Sequence, residues 1–128
     1  MTMSENILLY HFNNQEIKSK IIMILSQLNI DIVEIKDEDI NKTIGCLCGI
    51  DNDKGKNDKK EIPEREMMIF FGLDDNKLTF LLDVFKQVGI PFIPLKAVVT
   101  PTNVDWTFYD LYMHAKEEYE MMYQRKLD

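Results

Sequence analysis

MIFFGLDDNKLTFLLDVFKQVGIPFIPLK, residues 68–96, reads as an apolar strand, an Asp-Asp turn, a helical stretch, a glycine break and a second strand. The same order occurs earlier in residues 7–36, ILLYHFNNQEIKSKIIMILSQLNIDIVEIK. Ile7-Leu8-Leu9-Tyr10 lies over Met68-Ile69-Phe70-Phe71, Asn13-Asn14 over Asp74-Asp75, and Ile35-Lys36 over Leu95-Lys96. One deleted residue inside the second helix keeps the register. The likeness is one of pattern more than identity, and it gives two βαβ units.

Local chemistry supports each element. Asn13 or Asn14, and Asp74 or Asp75, can accept hydrogen bonds from the free N–H groups that open a helix. Ile17, Ile21, Ile24, Leu25 and Leu28 recur at helical spacing in the first unit, as do Leu78, Leu81, Leu82 and Phe85 in the second. Asn29 and Gly89 stand where a left-handed residue ends a helix. The first strand of each unit is apolar on both faces apart from His11, as expected of a central strand. Asp31 and Glu34 interrupt the second strand, and Pro91 and Pro94 fall in the last, which proline's missing N–H assigns to an edge. Two such units with the first and third strands central describe an α/β sandwich of the ferredoxin-like split βαβ type; another open α/β sandwich is the alternative.

Working outward, the last strand places Ile93, Leu95, Ala97 and Val99 on one face and Phe92, Pro94, Lys96, Val98 and Thr100 on the other. Lys96 can therefore lie away from the face that Leu95 buries. Pro101 stops the strand, and Thr102 or Asn103 can cap a long final helix over residues 103–125, with Asp105 in its first turn. Val104, Phe108, Leu111, Ala115 and Met122 form its apolar stripe, the only cover left for the second sheet face. Between the units, residues 37–49 place Ile40, Ile44 and Leu47 at helical spacing, which predicts a short amphipathic helix. Residues 51–61, DNDKGKNDKKE, contain no apolar side chain and read as a mobile loop. The chain is thus read as a single domain, residues 1–128: units at 7–36 and 67–100, a short helix and charged loop at 37–62, and the final helix.

Composition narrows the function classes. With 45% hydrophobic and 29% charged residues in 128, the chain has enough apolar material for one core. Its net charge of -7 lacks the basic footprint of a nucleic-acid binder and disfavours an anionic membrane surface. The polar start and the lack of a membrane-length apolar run read as a cytoplasmic protein.

The reactive side chains are sparse. Cys46 and Cys48 on a helix would diverge by roughly 200° at about 3.6 residues per turn, poor geometry for a shared metal. Asp51 and Asp53 imitate the start of a calcium loop, but Gly55, Lys56 and Ile62 occupy positions where that loop needs other residues. His11 ends the first strand with no nucleophile readable beside it, and His114 falls in a polar stretch of the last helix. No catalytic set, metal site or cofactor is expected. The best constellation is Lys96 with Thr100, Thr102, Asn103 and Trp106, where a cation, hydroxyls and a helix N-terminus could hold a small anion, with His11 as a further lining residue. The plainer reading pairs Lys96 with an acid such as Asp105.

The run LKAVVTPTNVDWTFYDLYMHAKEEYE, with Leu95-Lys96-Ala97-Val98, Thr100, Asn103 and Trp106 ahead of an acidic helix, resembles the signature of a small single-domain family of bacterial proteins of unknown function. Members of that family are similar to this chain from the first strand to the last helix. The IGCLCGI segment is a weaker echo, other apolar residues taking the place of both cysteines in the family. The resemblance implies no activity, cofactor or partner. Two functional expectations follow: a non-catalytic interaction or regulatory module, with a protein partner or a second copy as its ligand, or a small anion-binding domain or enzyme with its pocket near Lys96, Trp106 and His11.

Overall fold

A computed structural model describes residues 5–56 and 58–127. Strand β1 (Asn6–Tyr10), helix α1 (Gln15–Gln27) and strand β2 (Asp31–Ile35) form the first unit; β3 (Met67–Phe71), α3 (Asp75–Gln87) and β4 (Leu95–Val98) form the second. A short helix α2 (Ile44–Leu47) lies between them, and α4 (Phe108–Leu127) closes the chain. The two units start and stop their helices by the same chemistry. Asn14 Oδ1 accepts from Ile17 N at 3.1 Å, and Asp74 Oδ1 from Lys77 N at 2.8 Å. Asn29 (φ 58) and Gly89 (φ 84) then turn left-handed, and the next residue bonds back, Ile30 N to Leu25 O and Ile90 N to Phe85 O, each at 2.9 Å.

The sheet order is β2-β1-β3-β4, parallel within each unit and antiparallel where β1 meets β3. Leu8, which overlays Ile69 in the repeat, also faces it across the β1–β3 ladder. A local twofold axis therefore passes through that pair. This arrangement corrects the ferredoxin-like expectation. In a split βαβ fold a strand of the other unit separates the two strands of each unit; here the two strands of each unit are hydrogen-bonded neighbours. Both arrangements put the first and third strands in the centre and the second and fourth at the edges, so the burial pattern alone does not separate them.

The repeat also slips in its second half. Asn6 pairs with Asp31, two residues past Asn29, whereas Met67 pairs with Leu95, six past Gly89. Pro91 and Pro94 have no N–H to give to a ladder, so residues 91–94 stay outside it and β4 begins only at Leu95. Lys96 is consequently not the counterpart of Lys36.

Apolar residues cover both sheet faces. On one, Ile7, Leu9, Met68 and Phe70 meet Ile21 and Leu25 of α1 and Leu81 and Phe85 of α3. On the other, Leu8, Tyr10, Met67, Ile69 and Leu95 meet Ile44 of α2 and Phe108, Leu111 and Tyr112 of α4. The final helix is thus the expected second cover, but it starts later than residue 103. Asn103–Asp105 form a separate 3-10 turn, and Thr107 Oγ1 accepts from Asp110 N at 3.1 Å to cap α4. Carbonyls of Lys42 and Ile40 accept the next free N–H groups, from Phe108 and Tyr109, at 2.9 Å each. The helix expected over residues 37–49 likewise divides into a 3-10 turn, Asp37–Asp39, and α2, because Thr43 must stay extended to bridge Thr107.

The charged loop is anchored by polar contacts. Thr43 N donates to Asp53 O at 3.2 Å, and Asn41 Nδ2 to Asp58 O at 2.7 Å. Gly55 passes so close beneath Asn41 that a Cβ there would lie 1.7 Å from its carbonyl oxygen.

Candidate functional site

The turn that leaves β4 is closed by its own side chains. Asn103 Oδ1 accepts from Thr100 N at 2.8 Å, Asn103 Nδ2 donates to Val98 O at 3.0 Å, and Thr100 Oγ1 accepts from Asn103 N at 3.1 Å. Asn103 is buried, and both ends of its amide are committed to backbone. Thr102 starts the 3-10 turn without a side-chain cap bond. Trp106 ends that turn, half-buried at the margin of the α4-side core, with its ring edge-on to His114 at 5.3 Å.

Lys96 projects from the open edge of the sheet. Its ammonium donates to Ile93 O and lies 4.2 Å from the centroid of the Phe92 ring. No carboxylate of the described residues is within ion-pair distance of it, so the expected partnership with Asp105 does not form. Burial holds its pKa below the usual lysine range.

Five of the six candidate residues, Lys96, Thr100, Thr102, Asn103 and Trp106, line one groove of about 380 Å³ beside α4. His11 is not among them. It follows β1 at the end of the sheet where β4 begins, two strands from Lys96 and opposite the Thr100–Asn103 turn, in the left-handed region (φ 59), with its ring stacked 3.9 Å from that of Tyr10. His11 Nε2 meets Asp37 Oδ1 at 2.5 Å, and Nδ1 meets the carbonyl oxygen of Glu64 at 3.1 Å. Both ring nitrogens are thus engaged within the fold, one by the Asp37 carboxylate and one by the Glu64 carbonyl. Tyr10 completes the latch, its single hydroxyl proton shared between Pro63 O (2.7 Å) and Asp37 Oδ1 (3.0 Å). Burial, and then the neighbouring Asp37 carboxylate, raise the Tyr10 hydroxyl above its usual pKa. The cluster ties β1 to residues 37 and 63–64; it does not assemble an acid–base pair.

This latch carries a pH signature. The hydrogen bond from His11 holds the Asp37 carboxyl below the usual carboxylate range, outweighing the smaller opposing effect of desolvation. A folded-state pKa below the unfolded one stabilises fully above the unfolded value, near 4, and is lost as pH falls through the folded value. Asp37 is half exposed, so the contribution is about 1 kcal/mol or less. Urea unfolding between about pH 6 and about pH 3 should show wild type ahead of Asp37→Asn at the upper end and the gap closing below about pH 4. Parallel curves would exclude the latch.

The thiols are free, and burial pushes Cys48 up to about 11, away from reactivity. Among the described residues no group of three or more His, Cys, Asp or Glu is placed to hold a metal ion, and no helix is long and apolar enough to cross a membrane.

A second groove, of about 290 Å³, continues along α4 past Lys96 and is lined by Phe92, Pro94, Tyr119, Met122 and Tyr123. Phe92 is 73% exposed, Met122 59% and Tyr123 55%. Reading the sequence as one alternating strand missed Phe92. Its flanking prolines are the signal, since they hold residues 91–94 off the ladder and leave the ring with no sheet face to join.

Residues 66–122, from the residue before β3 well into α4, match the model of a family described as Domain of unknown function (DUF3783). No curated protein and no solved structure matches the chain.

Proposed function

We propose that this protein is a non-catalytic interaction module that self-associates through the side built from β4 and α4. The observation that carries the reading is the exposed apolar groove of Phe92, Met122 and Tyr123, three large side chains converging on one surface. The closed Thr100–Asn103 turn and the doubly engaged His11 ring support it, since both commit candidate site groups to the fold itself. The net charge of -7 argues against nucleic acid or an anionic membrane as the partner, and two free thiols suit a reducing, cytoplasmic setting. In sedimentation velocity the wild-type protein should move from monomer toward dimer as its concentration rises, while Phe92→Ser/Tyr123→Ser stays monomeric with an unchanged unfolding temperature. Identical sedimentation of the two proteins would overturn the reading.

One observation favours the anion-binding alternative: Lys96 lines the Trp106 groove with no acid paired to it among the described residues. Against it, Glu118 lines the same groove, the Thr100 and Asn103 groups are bonded to one another, and His11 lies two strands away across the sheet.

A further inference from the structure

Helix α4 is longer than the sheet it covers. Its 20 residues rise about 30 Å at 1.5 Å each, whereas strands of four or five residues span about 17 Å. The overshoot is the exposed part: Glu117, Glu118 and every residue from Glu120 to Gln124 face solvent. Its charge is ordered along the chain. Glu117, Glu118 and Glu120 precede Met121-Met122-Tyr123, and Arg125 and Lys126 follow. Such a sequence is complementary to itself reversed. An antiparallel copy centred between Met121 and Met122 sets position 117 across from 126 and position 118 across from 125, acid against base at both ends.

Resting on the interaction-module reading above, we propose that the occupant of this surface is a second copy of the chain, docked with the two α4 helices antiparallel in that register. A twofold pairing of this kind is closed, each helix offering the same patch to the other. The methionines adapt to an apolar seam, and flanking charges fix orientation as they do between coiled-coil helices. Edge-to-edge strand addition fits less well. β4 has four residues, Pro94 bounds its start, and Asn103 Nδ2 already occupies the Val98 carbonyl near its end.

Charge reversal tests the register. Glu117→Lys/Glu118→Lys makes both charged ends of the paired stretch basic, and Arg125→Glu/Lys126→Glu makes both ends acidic. Each variant alone should dimerise at least about tenfold more weakly than wild type, because four cross-helix ion pairs become four like-charge pairs. An equimolar mixture of the two should recover the wild-type dimer as a heterodimer, which a variant that failed to fold could not form. Wild type that dimerises while both reversals leave its dissociation constant within about twofold would overturn the register and leave the self-association reading standing. Wild type that never dimerises would overturn both.

Discussion

Phe108→Ala is expected to destabilise the protein by about 3–5 kcal/mol, at or near the largest loss from any single truncation. Phe108 is fully buried as the first residue of α4. Its ring packs 4.6 Å from that of Tyr10 and 6.1 Å from that of Tyr112, so truncation removes aromatic pairing as well as apolar burial. The cavity should stay open, because its wall cannot move in. Tyr10 is pinned at its far end by Pro63 O and Asp37, and Tyr112 by Arg65 N, which donates to its hydroxyl at 3.1 Å. Small domains unfold with total stabilities of about 5–15 kcal/mol, so the variant should be visibly less stable or partly unfolded. Phe80, on the solvent side of α3, provides the control: Phe80→Ala should change stability by about 0.5 kcal/mol or less. Urea unfolding of both variants is the measurement, and a loss below about 1 kcal/mol for Phe108→Ala would deny that ring its place at the centre of the α4-side core.

That core was legible in the sequence because its signals are local. Asn14 and Asp74 as caps, Asn29 and Gly89 as stops, and two doubly apolar strands all act within a few residues, and each does what its chemistry requires. What the sequence left open depends on partners far along the chain. Whether β2 lies beside β1 or across β3 leaves the same residues buried, so the pattern of Ile32, Val33 and Ile35 was silent on it. The start of α4 is set by carbonyls of Ile40 and Lys42, over sixty residues away, which is why Thr107 rather than Thr102 or Asn103 is its cap. The candidate site was legible in the same measure. Lys96, Thr100, Thr102, Asn103 and Trp106 share a groove because one short turn connects them. His11 does not, because β3 lies between its strand and β4, and nothing local to His11 reports that strand order.

Asn103→Ala should remove about 2–3 kcal/mol, a large loss for a side chain in a surface turn. The amide joins Thr100 N to Val98 O, and the substitution leaves both groups to find water instead. Because Thr100 and Val98 are themselves exposed, solvent replaces part of what is lost, which keeps the effect below that of Phe108→Ala. The conservative variant divides the effect: Asn103→Asp keeps an oxygen for Thr100 N but has no donor for Val98 O, and should fall between Asn103→Ala and wild type. Thr100→Val removes the hydroxyl that accepts from the backbone N–H of Asn103, a bond that Asn103→Ala keeps; because both variants loosen the same short turn, their losses should not add. The same series decides what the turn is for. If Asn103 is a folding device, stability follows the order wild type, Asp, Ala, and inorganic phosphate or acetate shifts the unfolding temperature of none of them. If it belongs to an anion pocket with Lys96, phosphate or acetate should stabilise wild type, and both Asn103→Ala and Lys96→Met should abolish that shift. The bonds already made inside the turn favour the first outcome: an amide held by backbone at both ends is not free to turn toward a ligand.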